Sequence, residues 1–388
     1  MDCDVIVVGA GPVGLLLACR LVQLGVRVRV LERRTQRSKH SRAIGVHRPS
    51  LVELARLGLA DRFTAEGVRV YGGAAVADGR ELGSLRFGEL GGPYPFALSL
   101  PQSDTERLLE QSLDQAAPGA LRRGWEVTRV SDGAGTVWVD ARAADGTPLL
   151  LEARYAVGCD GQHSLVREQA GIAFKGASYP DSFVMGDFGD STSFGNEARL
   201  FLSREGLVES FPLPKQRRRW VVSTSEPVEA PDREQFSRWV QARTGCDLRH
   251  EPCTMLSAFG IERRLADVFV RGRVALAGDA AHVVSPIGGQ GLNAGWMDAW
   301  DLAEVLARIE KSGVDEDRVL REYGRRARSR AKRVIRRAAF NTYLGRTTRL
   351  DAARNLLIRT ALHTPARRWL ARMFSMQGLM QERMQGRP

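Results

Sequence analysis

Three segments of the chain combine glycine and aspartate residues at spacings that suit the binding of a phosphorylated ligand. They contain first Gly9, Gly11 and Gly14, then Asp160–Gly161, and then Gly278–Asp279. Glycine lets the backbone approach a pyrophosphate closely, and a carboxylate at a strand end can accept hydrogen bonds from sugar hydroxyls. The segments therefore predict a site for an extended nucleotide.

The first segment, VIVVGAGPVG, is expected to join a buried strand to a helix, because an apolar run precedes it. The N-terminus of that helix offers N–H groups and partial positive charge to phosphates. The next predicted strand, VRVRVLE, ends in Glu32, which is expected to hydrogen-bond a ribose. Arg33 is a further candidate contact, with ordinary surface charge as the alternative. This unit is predicted to bind the ADP half of a dinucleotide, and a tight turn without a ligand is the alternative.

The second segment is YAVGCDGQHSLVR and the third is GRVALAGDAAHVVSPIGGQGLNAGWMDAWDLAEVL. Together with the first, they resemble the flavin-dependent aromatic hydroxylases of the p-hydroxybenzoate hydroxylase type, including the branch that acts on polyketides. The resemblance extends from about Asp2 to about Ala307 and is weak across roughly Ser182 to Ala258. It implies FAD as cofactor, NADPH or NADH as a transient reductant, and O2 and a small aromatic molecule as substrates.

The resemblance also implies the reaction. A C4a-hydroperoxyflavin would hydroxylate an aromatic or polyketide-like secondary metabolite, as in antibiotic biosynthesis, inside a pocket that excludes water. Two other functions stay open. One is an FAD-dependent reductase of isoprenoid double bonds, and the other is a non-catalytic flavoprotein that binds an acidic partner.

Further FAD contacts follow from the resemblance. They are Arg42, Gln102, Asp160, Gly161, Gly278, Asp279, Pro286, Gly289, Gly291, Leu292 and Asn293. The planar fork of an arginine suits phosphate oxygens, and the bare backbone of PIGGQG suits a flat ligand. The alternatives are a turn at the Asp-Gly pair, a helix cap at Asp279 or Gln102, and a plain glycine-rich turn at residues 286–291.

Chemistry of this kind demands no nucleophile and no metal, and the sequence has no metal-ligand spacing. The candidate base is His47, for which capping of the following helix is the alternative. His282 is given no catalytic role, and Arg167 is expected to hold the Asp160 loop. The apolar roof of the substrate pocket is predicted to include Phe211, Pro212 and Trp220, with plain sheet packing as the alternative.

The expected fold class is α/β: a Rossmann-like FAD-binding domain interleaved with an antiparallel-sheet substrate domain, followed by a C-terminal helical segment. A chain of 388 residues suits two lobes with an appendage. The predicted FAD-binding domain comprises residues 1–70, 97–178 and 262–311. The predicted substrate domain comprises residues 71–96 and 179–261, and residues 312–388 form the basic segment.

The positive charge is concentrated in that last segment. The net charge is +12, yet Asp317–Pro388 alone holds 19 Lys and Arg against 4 Asp and Glu. Apolar residues alternate with the arginines there, which is typical of helices that pack one face on a body. A solvated helical cap is therefore expected, with no nucleic-acid partner, and contact of the tail with anionic lipid, an acidic protein or nucleic acid is the alternative.

The remaining composition favours a cytoplasmic protein. The 5 cysteines are odd in number and include no C-x-x-C spacing, which indicates reduced core thiols. The sequence enters its first strand directly and contains no apolar run long enough to cross a bilayer, so neither a signal peptide nor an integral membrane segment is expected.

Overall fold

The computed structural model describes residues 1–38, 43–133, 135–312, 314–345 and 351–378. In these ranges the strands are β1 (Cys3–Val8), β2 (Val28–Glu32), β3 (Gly45–Val46), β4 (Val68–Val70), β5 (Gly72–Ala77), β6 (Arg80–Arg86), β7 (Ala97–Ser99), β8 (Leu121–Arg123), β9 (Trp125–Asp132), β10 (Val137–Ala143), β11 (Pro148–Gly158), β12 (Phe174–Gly189), β13 (Ala198–Ser203), β14 (Gly206–Leu213), β15 (Arg217–Thr224), β16 (Cys253–Ala266), β17 (Val270–Arg271), β18 (Val274–Leu276) and β19 (His282–Val283).

The helices alternate with these strands in the first part of the chain and follow them in the last. They are α1 (Pro12–Gln23), α2 (Arg48–Arg56), α3 (Ala60–Glu66), α4 (Gln102–Ala116), α5 (Leu165–Gln169), α6 (Arg233–Thr244), α7 (Gln290–Ser312), α8 (Glu316–Gly345), α9 (Asp351–His363) and α10 (Ala366–Phe374). Short 3-10 turns lie at Phe87–Leu90 and Gly278–Ala280.

The first sheet has a parallel centre in the order β18-β11-β1-β2-β8, with β17 at one edge. Strand β1 pairs in parallel with both β11 and β2. Its residues from Val5 to Val8 are all buried, because a parallel strand covered on both faces needs a continuous apolar run. Helix α1 packs against α4 and α7 beside this sheet, and β9 and β10 extend it antiparallel to β11.

The second sheet follows the order β19-β16-β12-β15-β14-β13-β5-β6. Its pairs are antiparallel except for β13 with β5. One face packs under α6, where Phe188 stacks on Phe236 with ring centroids 5.5 Å apart. A small third sheet has the strand order β3-β7-β4. The predicted fold class is therefore confirmed.

Two long strands connect the lobes. Strand β12 begins at Phe174 next to α5 and ends in the second sheet, and β16 returns antiparallel to it as far as Ala266. The boundaries predicted at residues 178 and 261 consequently fall inside these strands.

The C-terminal helices are built into the body. Glu316, at the start of α8, accepts hydrogen bonds from Arg154, Tyr155 and Arg273 at 2.6–3.1 Å. Further along α8, the hydroxyl of Tyr323 donates to the carbonyl of Leu276 at 3.1 Å. Helices α9 and α10 pack on each other and on β6. Among the described helices, none combines the length and the apolar character that crossing a membrane requires.

Candidate functional site

A cavity of about 1690 Å³ lies between the carboxyl edge of the first sheet and one face of the second sheet. Parallel strands end at the same edge of a sheet, where α/β proteins bind their ligands. The residues that follow β1, β2, β11 and β18 accordingly line one wall of the cavity, among them Gly9, Arg33, Asp160 and Asp279. A single ligand pocket is usually about 300–1,000 Å³, so this space is large enough for a dinucleotide and a second molecule.

The three glycines of the first segment have different roles. Gly9 has φ +102°, and a Cβ there would lie 2.5 Å from the carbonyl oxygen of Cys159. A Cβ on Gly14 would lie 2.0 Å from the carbonyl oxygen of Gly9, so α1 could not pack on the turn. A Cβ on Gly11 would meet nothing within 4 Å. Gly9 and Gly14 therefore shape the turn, whereas Gly11 leaves room on the cavity side.

Glu32 holds the same turn from the neighbouring strand. One carboxylate oxygen accepts the N–H of Ala10 at 2.8 Å, and the other accepts the backbone N–H and the Nε of Arg34, each at 3.0 Å. Burial alone would raise the pKa of this carboxyl, but these hydrogen bonds lower the pKa below its usual range. A charged carboxylate thus lies at the end of β2, and the exposed Arg33 beside it lines the cavity.

The Asp-Gly loop is fixed by Arg167. The guanidinium of Arg167 donates to the carbonyls of Gln162 and Ala280, each at 3.0 Å, and it lies 3.8 Å from the ring centroid of Phe174. It therefore ties the second segment to the third. In that loop, Asp160 accepts the N–H of Val166 through Oδ2 at 3.2 Å, and Gly161 has φ +84°.

The other oxygen of Asp160 differs from Oδ2 in its surroundings. Its Oδ1 is buried, and among the described residues it has no hydrogen-bond partner. Burial raises the pKa of this carboxyl. A buried acceptor without a partner among the described residues, on a residue that lines the cavity, leaves a hydrogen bond available to a ligand hydroxyl.

The third segment contributes a turn and a helix start. Gly278 has φ +63°, and a Cβ on it would lie 2.9 Å from the side chain of Val13, so this glycine lets the turn pack on α1 rather than facing the cavity. Asp279 is exposed and lines the cavity. The lining then continues along the loop into α7 through Pro286, Ile287, Gly288, Gly289, Gly291 and Leu292.

Asn293 has a different role from the cofactor contact that the sequence predicts. Its Nδ2 donates to the carbonyls of Gly45 and Gly289 at 2.9 and 2.8 Å. Its Oδ1 accepts the backbone N–H of His47 at 2.8 Å and the hydroxyl of Ser50 at 2.7 Å. The side chain is fully buried and does not line the cavity. Asn293 therefore positions the glycine loop against β3 instead of reaching a ligand itself.

His47 contacts the same glycine loop. Its Nε2 is 3.1 Å from the carbonyl oxygen of Gly288, so Nε2 carries the proton and donates. Burial lowers the pKa of the imidazole, which favours the neutral form. The ring lines the cavity, and this hydrogen bond makes it a support for residues 288–289.

Gln102 and Arg42 are two further FAD contacts that the resemblance implies. Gln102 begins α4 and lines the cavity, accepting the N–H of Ala43 at 3.3 Å and donating to Glu106 at 2.9 Å. Arg42 lies outside the described residues.

His282 is in the core, in a buried network that the sequence analysis missed. Its Nε2 is 2.6 Å from Asp298 Oδ2, and Asp298 also accepts from Arg330 at 2.9 Å. Arg330 donates in addition to Asp301 at 2.6 Å. Two aspartates three residues apart on α7 and facing an arginine of α8 are a signal that helix periodicity could have supplied.

The second sheet forms the other wall of the cavity, and its pleat decides which side chains reach it. On β14 the lining residues are Leu207, Glu209 and Phe211, two residues apart. On β15 they are Arg219 and Val221.

Two of the three pocket predictions are therefore wrong. Trp220 is fully buried on the other face, where it packs with Phe201, and Pro212 does not line the cavity. Both alternate with lining residues on the same strands, which places them on the α6 side. Phe211 does line the cavity.

Sequence reasoning missed the charged groups on this wall. Arg219 is 1% exposed, and its Nε and Nη2 donate to the two oxygens of Asp187 at 2.6 and 2.9 Å. Glu209 is 7% exposed, and burial raises its pKa to about 7. Alternation along GLVESFPL groups Glu209 with Leu207 and Phe211, so a signal was present in the sequence.

The C-terminal helices close one side of the cavity. Its lining includes Phe340 on α8, Leu357 on α9 and Trp369 on α10. Leu357 and Trp369 are 66% and 61% exposed, so these apolar side chains lie at the mouth, between the cavity and bulk water.

The chain is similar in sequence to known FAD-binding proteins. A family model described as "FAD binding domain" matches residues 2–338. The chain is 37% identical over 314 residues to rifampicin monooxygenase of Streptomyces venezuelae, covering 78% of this chain and 64% of that protein. It is 34% identical to 12-dehydrotetracycline 5-monooxygenase/anhydrotetracycline 6-monooxygenase of Streptomyces rimosus, covering 97% of this chain and 76% of that protein.

A solved structure is also similar over nearly its whole length. The crystal structure of p-nitrophenol 4-monooxygenase from Pseudomonas putida DLL-E4 superposes with a TM-score of 0.88 at 26% identity, covering 99% of this chain and 98% of that chain. By contrast, the chain spans less than two thirds of the length of rifampicin monooxygenase.

Proposed function

This chain belongs to the family of FAD-dependent aromatic hydroxylases, and on that premise we propose that it is an NAD(P)H- and O2-dependent flavin monooxygenase that hydroxylates an aromatic or polyketide-like metabolite. The single observation that carries the proposal is the cavity, because its two walls meet two separate needs. One wall is built from backbone and acidic groups that suit a nucleotide. The other is a largely apolar sheet face that suits a ring.

The nucleotide wall fits FAD. Gly11 leaves open space where α1 begins, and no side chain among the described residues caps that helix start. A helix N-terminus of this kind attracts a pyrophosphate. The buried Oδ1 of Asp160 supplies an acceptor for a hydroxyl. Gly288 and Gly289, with φ of +83° and +63°, present bare backbone where a flat ring could lie.

The chemistry that bound FAD supplies, after reduction by NADPH or NADH, is the activation of O2 for transfer of one oxygen atom. The protein then has to orient the ring and exclude water. The second sheet provides the surface for the ring through Phe211, Val221 and Phe259. Apolar side chains of α9 and α10 narrow the access of water at the mouth.

The substrate class is supported by the names of the relatives, which act on rifampicin, tetracycline precursors and p-nitrophenol. All of these are aromatic molecules that carry hydroxyl groups. A cavity of about 1690 Å³ is large enough for FAD together with a multi-ring molecule.

The test is an assay of substrate-stimulated NADPH oxidation with a panel of phenols and polyketide aromatics under isotopically labelled O2. A hydroxylase forms a product that gains one labelled oxygen atom and consumes O2 in step with NADPH. Peroxide release with no change in product mass would contradict hydroxylation. NADPH oxidation that continues anaerobically with an isoprenoid acceptor would identify a reductase instead.

A further inference from the structure

We propose that Glu209 receives a hydroxyl of the substrate, so that this site selects a ring with a free phenolic hydroxyl over the same ring methylated or carboxylated at that position. The inference rests on the proposed function, because it assumes that the ring lies against the second sheet. It assigns a binding and proton-accepting role to a side chain on the sheet wall, distinct from the candidate base His47.

The position of Glu209 is set by the pleat of β14. It lies on the cavity side between Leu207 and Phe211, and its direct neighbours across the sheet are Leu200 on β13 and Val221 on β15. The carboxyl is thus surrounded by apolar side chains. It can be reached by a ligand because the residue forms part of the cavity lining.

This carboxyl makes no hydrogen bond or ion pair within the part of the chain that the structure describes, although the residue is only 7% exposed. A carboxyl among apolar side chains is destabilised when it has no hydrogen-bond partner, and more so when it is charged. A partner from the cavity would remove that destabilisation. A carboxylate accepts hydrogen bonds and repels anions, which favours a neutral hydroxyl.

The charged groups on the surrounding strands are engaged elsewhere. Arg219 on β15 pairs with Asp187 on β12 at 2.6 Å. Arg199 on β13 pairs with Glu81 and Glu197 at 3.0 and 3.1 Å.

In the part of the chain that the structure describes, β4, β7 and α6 also pack against β14. Arg69 on β4 lies 5.5 Å from the ring centroid of Phe96. Strand β7 carries no titratable residue, and α6 packs on the opposite face. Burial is therefore the dominant influence on Glu209 and raises its pKa to about 7.

The chemical step is a proton transfer and involves no change of oxidation state. The phenolic O–H bond breaks and an O–H bond forms on a carboxylate oxygen of Glu209. The electron pair stays on the phenolic oxygen, where it makes the ring a better nucleophile toward an electrophilic oxygen atom. A phenol has a pKa of about 10, so the hydrogen bond forms in the bound state and the proton moves as the ring donates electrons. The proton on Glu209 then returns to a hydroxyl of the product or passes to water.

The test measures binding to the FAD-loaded protein by calorimetry, with 2-naphthol, 2-methoxynaphthalene and 2-naphthoate as probes. The wild type is expected to prefer the naphthol over its methyl ether by about tenfold or more, the value of one hydrogen bond to a charged acceptor. In Glu209→Gln this preference falls to about twofold or less. The control is Glu205→Gln, an exposed glutamate in the turn before β14, which is expected to behave as wild type.

The pH profile provides a second readout. Ionised Glu209 is the stronger acceptor, so naphthol affinity in the wild type rises as the pH rises through about 7, while naphthoate affinity falls. Both dependences disappear in Glu209→Gln. Glu209→Asp retains a carboxylate, so it is expected to keep the pH dependence with a weaker preference.

Several results would overturn the proposal. The first is a wild type that binds neither neutral probe or does not discriminate between them. The second is a preference for 2-naphthol that is unchanged in Glu209→Gln. The third is a preference that falls equally in Glu209→Gln and Glu205→Gln. These measurements record binding without turnover. A failure of the proposed hydroxylation can therefore be distinguished from a failure of the role proposed for Glu209. A protein that shows Glu209-dependent binding yet forms no hydroxylated product retains this inference and loses the monooxygenase proposal.

Discussion

At the scale of single residues, the geometry separates side chains that face the cavity from those that only hold its walls in place. Gly11 and Asp160 line the cavity, whereas Gly14, Asn293 and Arg167 act through protein contacts. The distinction matters because both groups belong to the same sequence motifs. Substitutions in the two groups should therefore produce different defects.

The paired glycines of the first turn test this separation. Gly11→Ala places its Cβ in open space, so the apoprotein should keep its stability while FAD affinity falls by about tenfold or more, since the added methyl occupies the phosphate side. Gly14→Ala places its Cβ 2.0 Å from the carbonyl oxygen of Gly9. It should destabilise the apoprotein by about 1–3 kcal/mol.

Urea unfolding of both apoproteins, together with FAD titration of both, gives the comparison. Equal FAD affinity in Gly11→Ala and wild type would show that this turn does not face the cofactor. Loss of stability in Gly11→Ala would contradict the open space assigned to it.

At the scale of elements, the pleat of the second sheet determines which side chains reach the cavity, and the packing of α7 on α8 contributes to the stability of the fold. Strands β14 and β15 present alternating residues to the cavity and to α6. Helices α7 and α8 are joined by buried ion pairs.

The two faces of the second sheet predict a contrast between Phe211 and Trp220. Phe211→Ala should raise the KM for an aromatic substrate several-fold and change stability little, because the side chain faces the cavity. Trp220→Ala should cost about 3–5 kcal/mol of unfolding free energy, because the indole is fully buried in the other face. Steady-state kinetics and denaturation of both variants check this. A Trp220 variant with native stability and altered KM would place the indole in the substrate site after all.

The helix pair predicts a pH-dependent defect in Arg330→Met. Burial would raise the pKa of Asp298, but His282 and Arg330 lower it below the usual range. A carboxyl with a lowered pKa stabilises the fold above its unfolded pKa of about 3.9, and this contribution is lost as the pH falls through the folded value. Without Arg330, Asp298 is left charged and poorly compensated, which should cost about 3–5 kcal/mol near neutral pH.

The deficit of Arg330→Met relative to wild type should shrink as the pH is lowered, because the variant's Asp298 takes up a proton more readily. Arg326→Met is the control, since Arg326 is 56% exposed in a surface pair with Glu322 and should change stability by no more than about 0.5 kcal/mol. Denaturation curves over a range of pH measure both. A deficit independent of pH would show that the network is not held by charge.

At the scale of the whole molecule, the C-terminal helices complete the enclosure that the two sheets begin. Leu357 and Trp369 lie at the mouth, and neighbouring Leu356 is equally exposed but does not line the cavity. Loss of apolar cover should let water in and increase the release of peroxide.

The corresponding variants are Trp369→Ser and Leu357→Ser, with Leu356→Ser as the control. In Trp369→Ser and Leu357→Ser, the amount of peroxide formed per NADPH oxidised should rise several-fold in the presence of substrate. In Leu356→Ser it should not change. A rise of equal size in all three would indicate a general disturbance of α9 instead of a function at the mouth.

Most of the motif residues that the sequence singles out line the cavity, because glycine turns and strand-end carboxylates are local requirements that motifs record. The sequence did not predict the sheet wall. Strands β14 and β15 are buried on both faces, so apolar residues such as Trp220 and Phe211 occur on each, and hydrophobicity alone cannot assign them to a face. The packing of α9 and α10 on β6 could not be predicted either. It joins segments that are more than 200 residues apart in the chain, and a local sequence pattern does not record such a contact.

The strand ends of the first sheet are proposed to form a binding site for one FAD. The most direct measurement is a titration of the folded apoprotein with FAD, followed by absorbance and by the free FAD that remains. Saturation at one FAD per chain in the wild type, with markedly weaker binding in the equally stable Gly11→Ala, is the predicted result. Folded wild-type protein that takes up no FAD would contradict the account.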